Sequence, residues 1–142
     1  MNNSNLTNGN RSTLIETLQA ASAELLFISE SESPFEVFFW ELPSGTEVKP
    51  ETMINQTGIS ADTPIEFTDL ESFFAVATTH QDWHGLVETE AVNRYQNLVK
   101  IIQENLTDIK VVRVGNVDID VYIVGKTVDG CLAGLKTKVV ET

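Results

Sequence analysis

The sequence contains one cysteine and no long apolar segment, and each absence excludes a class of protein. Cys131 has no second thiol to pair with, so the chain cannot form an internal disulfide, which is typical of proteins from reducing compartments. No apolar run approaches the roughly 18 residues that a transmembrane helix needs. The N-terminal residues Met1–Arg11 are polar and rich in asparagine, unlike a secretory signal peptide. We therefore expect a cytoplasmic protein that makes no contact with membranes.

Basic residues are also scarce. The chain has 9 lysines and arginines against 21 aspartates and glutamates, and its formal net charge is −12. The imbalance is concentrated between Glu30 and Asn93, where 13 acids accompany a single base, Lys49. Direct binding of nucleic acid needs clustered lysines and arginines, so the composition argues against it. An acidic field favours a basic partner, although the same charge also serves solubility.

Recognised catalytic signatures are missing. The sequence has no glycine-rich phosphate loop, no Gly-x-Ser-x-Gly elbow and no Cys/His nucleophile pattern. His80, His84 and Glu88 have the spacing that places metal ligands on one side of a helix, but a glycine interrupts the segment and there is no third histidine. Asp118 and Asp120 share one face of a predicted strand, where they could hold a hard cation or simply be solvated. These patterns favour a binding protein over an enzyme, and no cofactor is expected.

The composition is ordinary for a globular protein, because 42% of the 142 residues are hydrophobic and 21% are charged. We expect a disordered tail at 1–11 and a single domain at 12–142, in which helices cover both faces of a central sheet. Periodicity and turn residues predict helices after a cap at Ser12 or Thr13 and at 50–56, 70–77 and 86–106, and strands at 35–41, 65–68, 109–114, 117–124 and 132–140.

Some of these elements carry specific expectations. The long helix has an apolar stripe that starts at Val87, and Val76 is expected to add to the core. Gly115-Asn116 has the composition of a two-residue hairpin turn. The strand that follows this turn alternates, so its two faces are expected to carry different residues: Val117, Ile119, Val121 and Ile123 on one, and Asp118, Asp120, Tyr122 and Val124 on the other.

Two polar segments stand next to large aromatic residues. The acidic segment Ser29–Pro34 runs directly into the aromatic strand Phe35–Trp40, and rigid scaffolds often present binding residues on such loops. A solvated turn rich in serine and glutamate has the same composition. The polar segment Thr78–Gly85 contains Trp83, which is either a core residue or an aromatic anchor for a partner.

Three segments together resemble the nuclease A inhibitor family. They are Ser29–Glu41 (SESESPFEVFFWE), Thr78–Trp83 (TTHQDW) and Thr137–Thr142 (TKVVET). They occur in the order and at nearly the spacing of that family, and the similarity runs from about residue 14 to 142. The sequence departs from the family pattern in the asparagine-rich tail, around 43–51, and at His80 and His84. The resemblance therefore implies that these two histidines have no functional role.

The resemblance implies both a fold and an activity. The fold is a three-layer α/β/α sandwich with a mixed or antiparallel central sheet and helices on both faces. The activity is inhibition of a magnesium-dependent, sugar-non-specific ββα-metal nuclease, with one inhibitor molecule bound to one nuclease molecule. Such a nuclease presents basic residues for phosphate and a Mg²⁺ ion at its catalytic centre, which suits an acidic inhibitor.

The resemblance also assigns residues. Glu30 matches the inhibitor's glutamate, which takes the place of a phosphate in the basic cleft. Thr142 matches the terminal residue, whose carboxylate and hydroxyl oxygens suit the nuclease's Mg²⁺. The flanking contact loop corresponds to Gln81, Asp82 and Trp83, with Trp83 as the anchor. The partner-binding set is completed by Glu32 and Glu141.

Two other classes of function remain open from the residues themselves. One is an acidic interaction module with the same fold that binds a different basic protein. The other is a metal-dependent enzyme that uses Asp118 and Asp120 or the two histidines.

Overall fold

A computed structural model of the chain describes residues 3–28, 32–43 and 45–141. Helices and strands alternate irregularly along these residues. The helices are α1 (Asn3–Ser22), α2 (Pro50–Thr57), α3 (Leu70–Phe74) and α4 (Leu86–Asn105). The strands are β1 (Leu26–Ile28), β2 (Glu32–Pro34), β3 (Glu36–Trp40), β4 (Ile65–Thr68), β5 (Thr107–Val114), β6 (Asp118–Lys126) and β7 (Leu132–Val140). No helix in this described part is long and apolar enough to cross a membrane.

Five strands form the central sheet in the order β3-β7-β6-β5-β4, and every neighbouring pair is antiparallel. The two short strands β1 and β2 form a separate antiparallel hairpin. The predicted α/β class and antiparallel sheet are therefore confirmed. The strands predicted at 35–41, 65–68, 109–114, 117–124 and 132–140 correspond to β3 through β7, with ends that differ by a few residues.

The two faces of the sheet contribute to two separate apolar clusters. Ile119, Val121 and Ile123 of β6 pack in one cluster with residues of α1, α3 and α4. Tyr122 and Val124, which alternate with them, pack in the other cluster with Val48, Met53 of α2 and residues of β5 and β7. The alternation predicted from Ile119 to Val124 is confirmed, and it follows from the two-residue period of an extended chain. The prediction was wrong for Val117, which precedes β6 and is 49% exposed.

Local signals at several element ends are also confirmed. Asp69 caps α3 by accepting a 3.2 Å hydrogen bond from the backbone N–H of Ser72, and the hydrogen bonds from Ser72 lower the pKa of its carboxyl group. Gly58 ends α2 in the left-handed conformation at φ 70°, which glycine adopts without the steric cost of a Cβ. α2 therefore begins and ends within one residue of its prediction, whereas the helix predicted at 70–77 already ends at Phe74.

The start of the first helix differs from the prediction. α1 begins at Asn3, ahead of the cap predicted at Ser12 or Thr13. A capping pattern does not by itself start a helix, because serine and threonine are tolerated inside helices and no proline precedes Thr13 to stop one. The division into a tail at 1–11 and a domain at 12–142 stays a prediction.

The connection between β5 and β6 is longer than predicted. Val114 pairs with Asp120, so Gly115-Asn116 is not a two-residue hairpin turn. The first residues of β6 pair with β7 instead, where Asp118 lies opposite Val140. The backbone N–H of Gly115 donates to Pro64 O at 2.9 Å. Long-range pairing with β7 and the chain before β4 therefore overrides the local turn signal.

Two apolar residues assigned to the core are on the surface. Val87, predicted as the start of the stripe of α4, is 78% exposed, and Val76 is 86% exposed. The buried stripe of α4 consists of Val92, Tyr95, Leu98 and Ile102. Burial along α4 therefore begins at Val92, and the first turn of the helix lies outside the core.

Candidate functional site

The acidic segment singled out in the sequence forms part of the β1–β2 hairpin. Phe27 lies opposite Ser33 and Ile28 opposite Glu32, so residues 29–31 connect the two strands. Glu32 is exposed at the first position of β2. Glu30, which the resemblance assigns to the nuclease site, lies outside the described residues, as does Thr142. The sequence analysis predicted a loop here and missed both strands.

Hydrogen bonds from two buried side chains hold the hairpin in place. The hydroxyl of Thr137, on β7, lies 3.3 Å from the carbonyl of Ser33 and 3.0 Å from that of Pro34, and donates to these acceptors. The hydroxyl of Tyr95, on α4, donates to Leu26 O at 2.5 Å. Burial raises the pKa of Tyr95 to about 12, against the opposing charge of Arg94. The phenol is therefore neutral, and remains a donor, throughout the physiological pH range.

An aromatic cluster fixes the other side of the hairpin. The ring of Phe27 stacks on that of Phe73 with centroids 4.5 Å apart and meets the ring of Phe74 edge-on at 6.0 Å. Phe35, between β2 and β3, contacts both Phe74 and Tyr95 at 6.2 Å. These pairs join the hairpin to α3 and α4, and each adds about 0.5–1.5 kcal/mol beyond the area that it buries. The hairpin is therefore held by hydrogen bonds from β7 and α4 and by aromatic contacts with α3 and α4.

The predicted contact loop connects α3 to α4. The hydroxyl of Thr78 donates to Phe74 O at 2.8 Å, and the side-chain amide of Gln96 donates to Thr78 O at 2.8 Å. One end of the loop is thus attached to both helices. The side chains of Gln81 and Asp82 are exposed, and Trp83 is 74% exposed. Trp83 is therefore not a core residue, which removes one of its two sequence-based interpretations.

Two hydrogen bonds between Gln81 and His84 close a turn that contains Trp83. The backbone N–H of His84 donates to Gln81 O at 3.1 Å, and the backbone N–H of Gln81 donates to His84 Nδ1 at 3.2 Å. The imidazole also meets the indole of Trp83 edge-on, with ring centroids 4.4 Å apart. In this arrangement Nδ1 is the unprotonated nitrogen, because it accepts a hydrogen bond. One backbone–backbone and one backbone–imidazole hydrogen bond thus hold the turn that contains the exposed Trp83.

The metal-binding interpretations find no support in this geometry. α4 begins at Leu86, so His80 and His84 lie before the helix and the helical spacing with Glu88 does not apply. Asp118 is exposed and Asp120 half-buried on β6. Within the ranges that the structure describes, no group of three His, Cys, Asp or Glu side chains could hold a metal ion.

The end of the described chain is held by the neighbouring loop and by an ion pair. The backbone N–H of Glu141 donates to Val117 O at 2.9 Å, and its carboxylate pairs with Arg113. Arg113 Nε also lies 4.0 Å from an oxygen of Glu66. Glu141, predicted to bind the partner, therefore already has an ion-pair partner within the chain. Exposed pairs of this kind contribute about 0–1 kcal/mol, so the pair orients Glu141 more than it stabilises the fold.

Topology places the hairpin and Glu141 at the same edge of the sheet. β3 and β7 are antiparallel with Glu36 opposite Lys136, so the chain that precedes β3 lies beside the last residues of β7. The contacts of Thr137 with β2 show this directly. Because Glu141 follows β7, it emerges at the edge where the hairpin is attached.

The direction of α4 brings the Trp83 loop towards that edge. Tyr95 contacts Phe35, just before β3. Leu106, at the other end of the helix, lies so close to Gly125 that a Cβ on this glycine would be 2.7 Å from that of Leu106. Gly125 pairs with Ala133 near the start of β7, at the opposite edge. The first turn of α4 therefore points to the side of the hairpin, although no hydrogen bond or ion pair of the described residues joins Trp83 to Glu32 or Glu141.

The sequence analysis missed three side chains that hold these segments in place: Thr137, Tyr95 and His84. One signal was available for Thr137, because it alternates with Ala133, Leu135 and Val139 along the inner face of β7. A polar residue in an apolar register is buried, and a buried hydroxyl needs a hydrogen-bond partner. Its partners come from a segment about 100 positions earlier, which the sequence does not reveal.

Comparison with known families gives a match, whereas a search of curated proteins gives none. The model of the family described as nuclease A inhibitor-like protein matches residues 12–142. The match covers the hairpin, the Trp83 loop and the end of β7, which are the three segments that carry the resemblance. The chain therefore belongs to the family of nuclease A inhibitor-like proteins.

Proposed function

We propose that this protein inhibits a magnesium-dependent, sugar-non-specific ββα-metal nuclease by blocking its active site, and that it is not itself an enzyme. Membership of the nuclease A inhibitor-like family supports the general role. The observation that carries the mechanism is the β1–β2 hairpin, which hydrogen bonds and aromatic contacts hold beside the end of β7. An inhibitor of this kind needs its carboxylate on a rigid support, because ordering a flexible loop on binding would cost affinity.

In this mechanism Glu30 and Thr142 act at the nuclease's catalytic centre. The carboxylate of Glu30 occupies the position of a substrate phosphate and accepts hydrogen bonds from the cationic residues there. The oxygen atoms of Thr142 approach the nuclease's Mg²⁺, which prefers oxygen ligands. The metal belongs to the nuclease, and the inhibitor needs no cofactor of its own.

The remaining residues of the proposed interface surround this centre. Gln81, Asp82 and Trp83 form the flanking contact, with the indole as the anchor, which agrees with the exposure of Trp83. Glu32 and Glu141 add negative charge beside the two central residues. The 13 acids between Glu30 and Asn93 accelerate association with a basic cleft, since complementary charge raises the rate of encounter.

Three finer features accompany this role. The two apolar clusters, with α1, α3 and α4 in one and α2 in the other, support a three-layer α/β/α sandwich. The complex contains one inhibitor and one nuclease, because a single active site accepts a single acidic loop. Both proteins meet in the cytoplasm.

The decisive experiment is a stoichiometric titration. Degradation of plasmid DNA by a purified ββα-metal nuclease from the same source is measured in excess Mg²⁺. Increasing amounts of the protein are added to the nuclease, and a variant that lacks Thr142 is titrated in parallel. We expect a sharp end-point near one equivalent for the natural sequence and a weaker, blunted inhibition for the variant. Excess Mg²⁺ rules out inhibition by chelation. Full nuclease activity at every ratio would instead favour an acidic module for a different basic protein.

A further inference from the structure

Arg113 lies between two carboxylates near the end of β7. It belongs to β5, where Glu66 of β4 and Val121 of β6 are its neighbours in the pairing register. Its Nη2 contacts a carboxylate oxygen of Glu141, and its Nε lies 4.0 Å from an oxygen of Glu66. Only 20% of the Arg113 side chain is exposed, compared with 55% for Glu141 and 76% for Glu66. The guanidinium is therefore the most buried charge of this group, and it offsets the repulsion between the two carboxylates.

The ion pair acts on the residue that directly precedes Thr142. The backbone of Glu141 is already attached to the sheet, because its N–H donates to Val117 O at 2.9 Å and Val140 pairs with Asp118 of β6. The side chain of Glu141 reaches from the end of β7 to β5, across the strand between them. Backbone and side chain of Glu141 are thus fixed at separate points, which limits the directions that the next residue can take.

The basic residues of β7 itself lie on the other face of the sheet. Val139 packs in the cluster formed with residues of α1, α3 and α4, and Glu141 follows it by two residues. Lys136 and Lys138 alternate with Val139, so they belong to the opposite face of the strand. Arg113 supplies a cation from β5 to the face on which Glu141 lies. Its planar guanidinium presents donors in two directions, which suits two carboxylates better than an ammonium group.

We propose that Arg113 is a positioning residue for inhibition, which holds Glu141 so that Thr142 is presented to the nuclease's Mg²⁺. This inference rests on the proposed inhibitory function and adds a residue that acts through the inhibitor's own chain. A chain end oriented before binding loses less conformational entropy in the complex. Exposed ion pairs are weak, so the loss of the guanidinium lowers the fraction of inhibitor molecules with a correctly oriented end only several-fold.

The test is Arg113→Gln, measured alone and together with deletion of Thr142. The matched control is Lys138→Gln, which removes the same charge from an exposed position near the end of β7. Binding to an immobilised ββα-metal nuclease in Mg²⁺ is measured by surface plasmon resonance. We expect Arg113→Gln to bind roughly two- to fivefold more weakly than the natural sequence. In the protein that lacks Thr142, the same substitution should cause no further loss.

The direction of the change separates positioning from general electrostatics. Arg113→Gln and Lys138→Gln each make an acidic protein more acidic by one charge, which by itself favours binding to a basic cleft. Lys138→Gln should therefore bind as tightly as the natural sequence or more tightly, whereas Arg113→Gln binds more weakly. Arg113→Lys keeps the charge without the planar guanidinium and should recover part of the loss. In the free protein, Arg113→Gln should lower the NMR order parameter of the Glu141 amide.

The outcomes distinguish this inference from the function on which it rests. The inference is overturned, and inhibition stands, if Arg113→Gln binds like the natural sequence or if Lys138→Gln weakens binding equally. Losses that multiply when Arg113→Gln is combined with the Thr142 deletion would show independent effects and also overturn it. If the natural sequence binds no nuclease, the proposed function fails, and the order parameter still decides whether Arg113 holds Glu141. Urea unfolding checks that every variant is folded.

Discussion

Replacing Thr137 by valine tests whether the hairpin is held by its buried hydroxyl. The side chain is 3% exposed, and its hydroxyl lies 3.3 Å and 3.0 Å from the carbonyls of Ser33 and Pro34. Thr137→Val keeps the shape of the side chain and removes only the donor. The carbonyls of β2 then lose a partner in a region with limited access to water.

The expected loss of stability follows from the fact that the hydroxyl has a single proton to donate. It makes one net hydrogen bond shared between two acceptors, worth about 0.5–1.5 kcal/mol, and a carbonyl left without a partner costs about 1–3 kcal/mol. The additional methyl group and the higher strand preference of valine offset part of this loss. We expect Thr137→Val to lower the free energy of unfolding by about 1–2 kcal/mol, which corresponds to a decrease of a few degrees in Tm.

The assay combines global and local measurements. Urea unfolding gives the change in stability, and amide hydrogen exchange gives the opening free energy of β1 and β2 separately. Exchange should accelerate in the hairpin more than in β5 or β6, and inhibition of the nuclease should weaken. Thr107→Val, at an exposed position at the start of β5, serves as the control. Unchanged exchange of the hairpin amides in Thr137→Val would refute the idea that this hydroxyl holds the hairpin.

Three further predictions concern charge, loop geometry and pH. Glu30→Gln should slow association with the nuclease at low salt, because the charge proposed to take the place of a phosphate is removed; equal association rates, measured by stopped flow, would count against that role. His84→Ala should weaken inhibition and increase the mobility of the Trp83 ring, measured by fluorescence anisotropy. His84→Asn, whose amide oxygen can replace Nδ1 as the acceptor, should keep the inhibition and the restricted mobility of the natural sequence. Identical behaviour of the two variants would show that the acceptor is unimportant. Burial raises the pKa of Tyr95 to about 12. The contribution of its protonated phenol to the free energy of unfolding is therefore fully present below pH 10 and should be lost as the pH rises through 12. In Tyr95→Phe, urea midpoints should fall less steeply over this range, from a lower value at neutral pH because the bond to Leu26 is missing.

Much of the fold was predictable because its signals are local. The helix over Pro50–Thr57 and the strand Ile65–Thr68 were found from proline, glycine and apolar alternation, each of which acts within a few residues. Asp69 was recognised as a cap because its hydrogen-bond partner, Ser72, is three positions away. Local propensity and tertiary structure agree at these elements, so reading the residues in order was sufficient.

The errors occurred where distant segments decide the conformation. β1 and β2 have three residues each, too few for a periodic pattern. Their support comes from Thr137, Tyr95 and Phe73, which follow much later in the chain. Val87 looked like part of a core stripe because its spacing is helical, but helical spacing does not tell how far the sheet extends beneath the helix. The exposed surface at the start of α4 was missed for the same reason.

The sequence by itself determined the types of the longer helices and strands, the alternation of β6, the acidic character of the first two thirds and the family resemblance of three separated segments. These properties depend on residue chemistry and short-range spacing. Only the tertiary structure decided that the hairpin and Glu141 share an edge of the sheet, that Trp83 is exposed, and that Leu86 and Val87 lie outside the core. Those properties depend on antiparallel pairing between strands far apart in the chain, and on where the core ends beneath a helix, which no local pattern records.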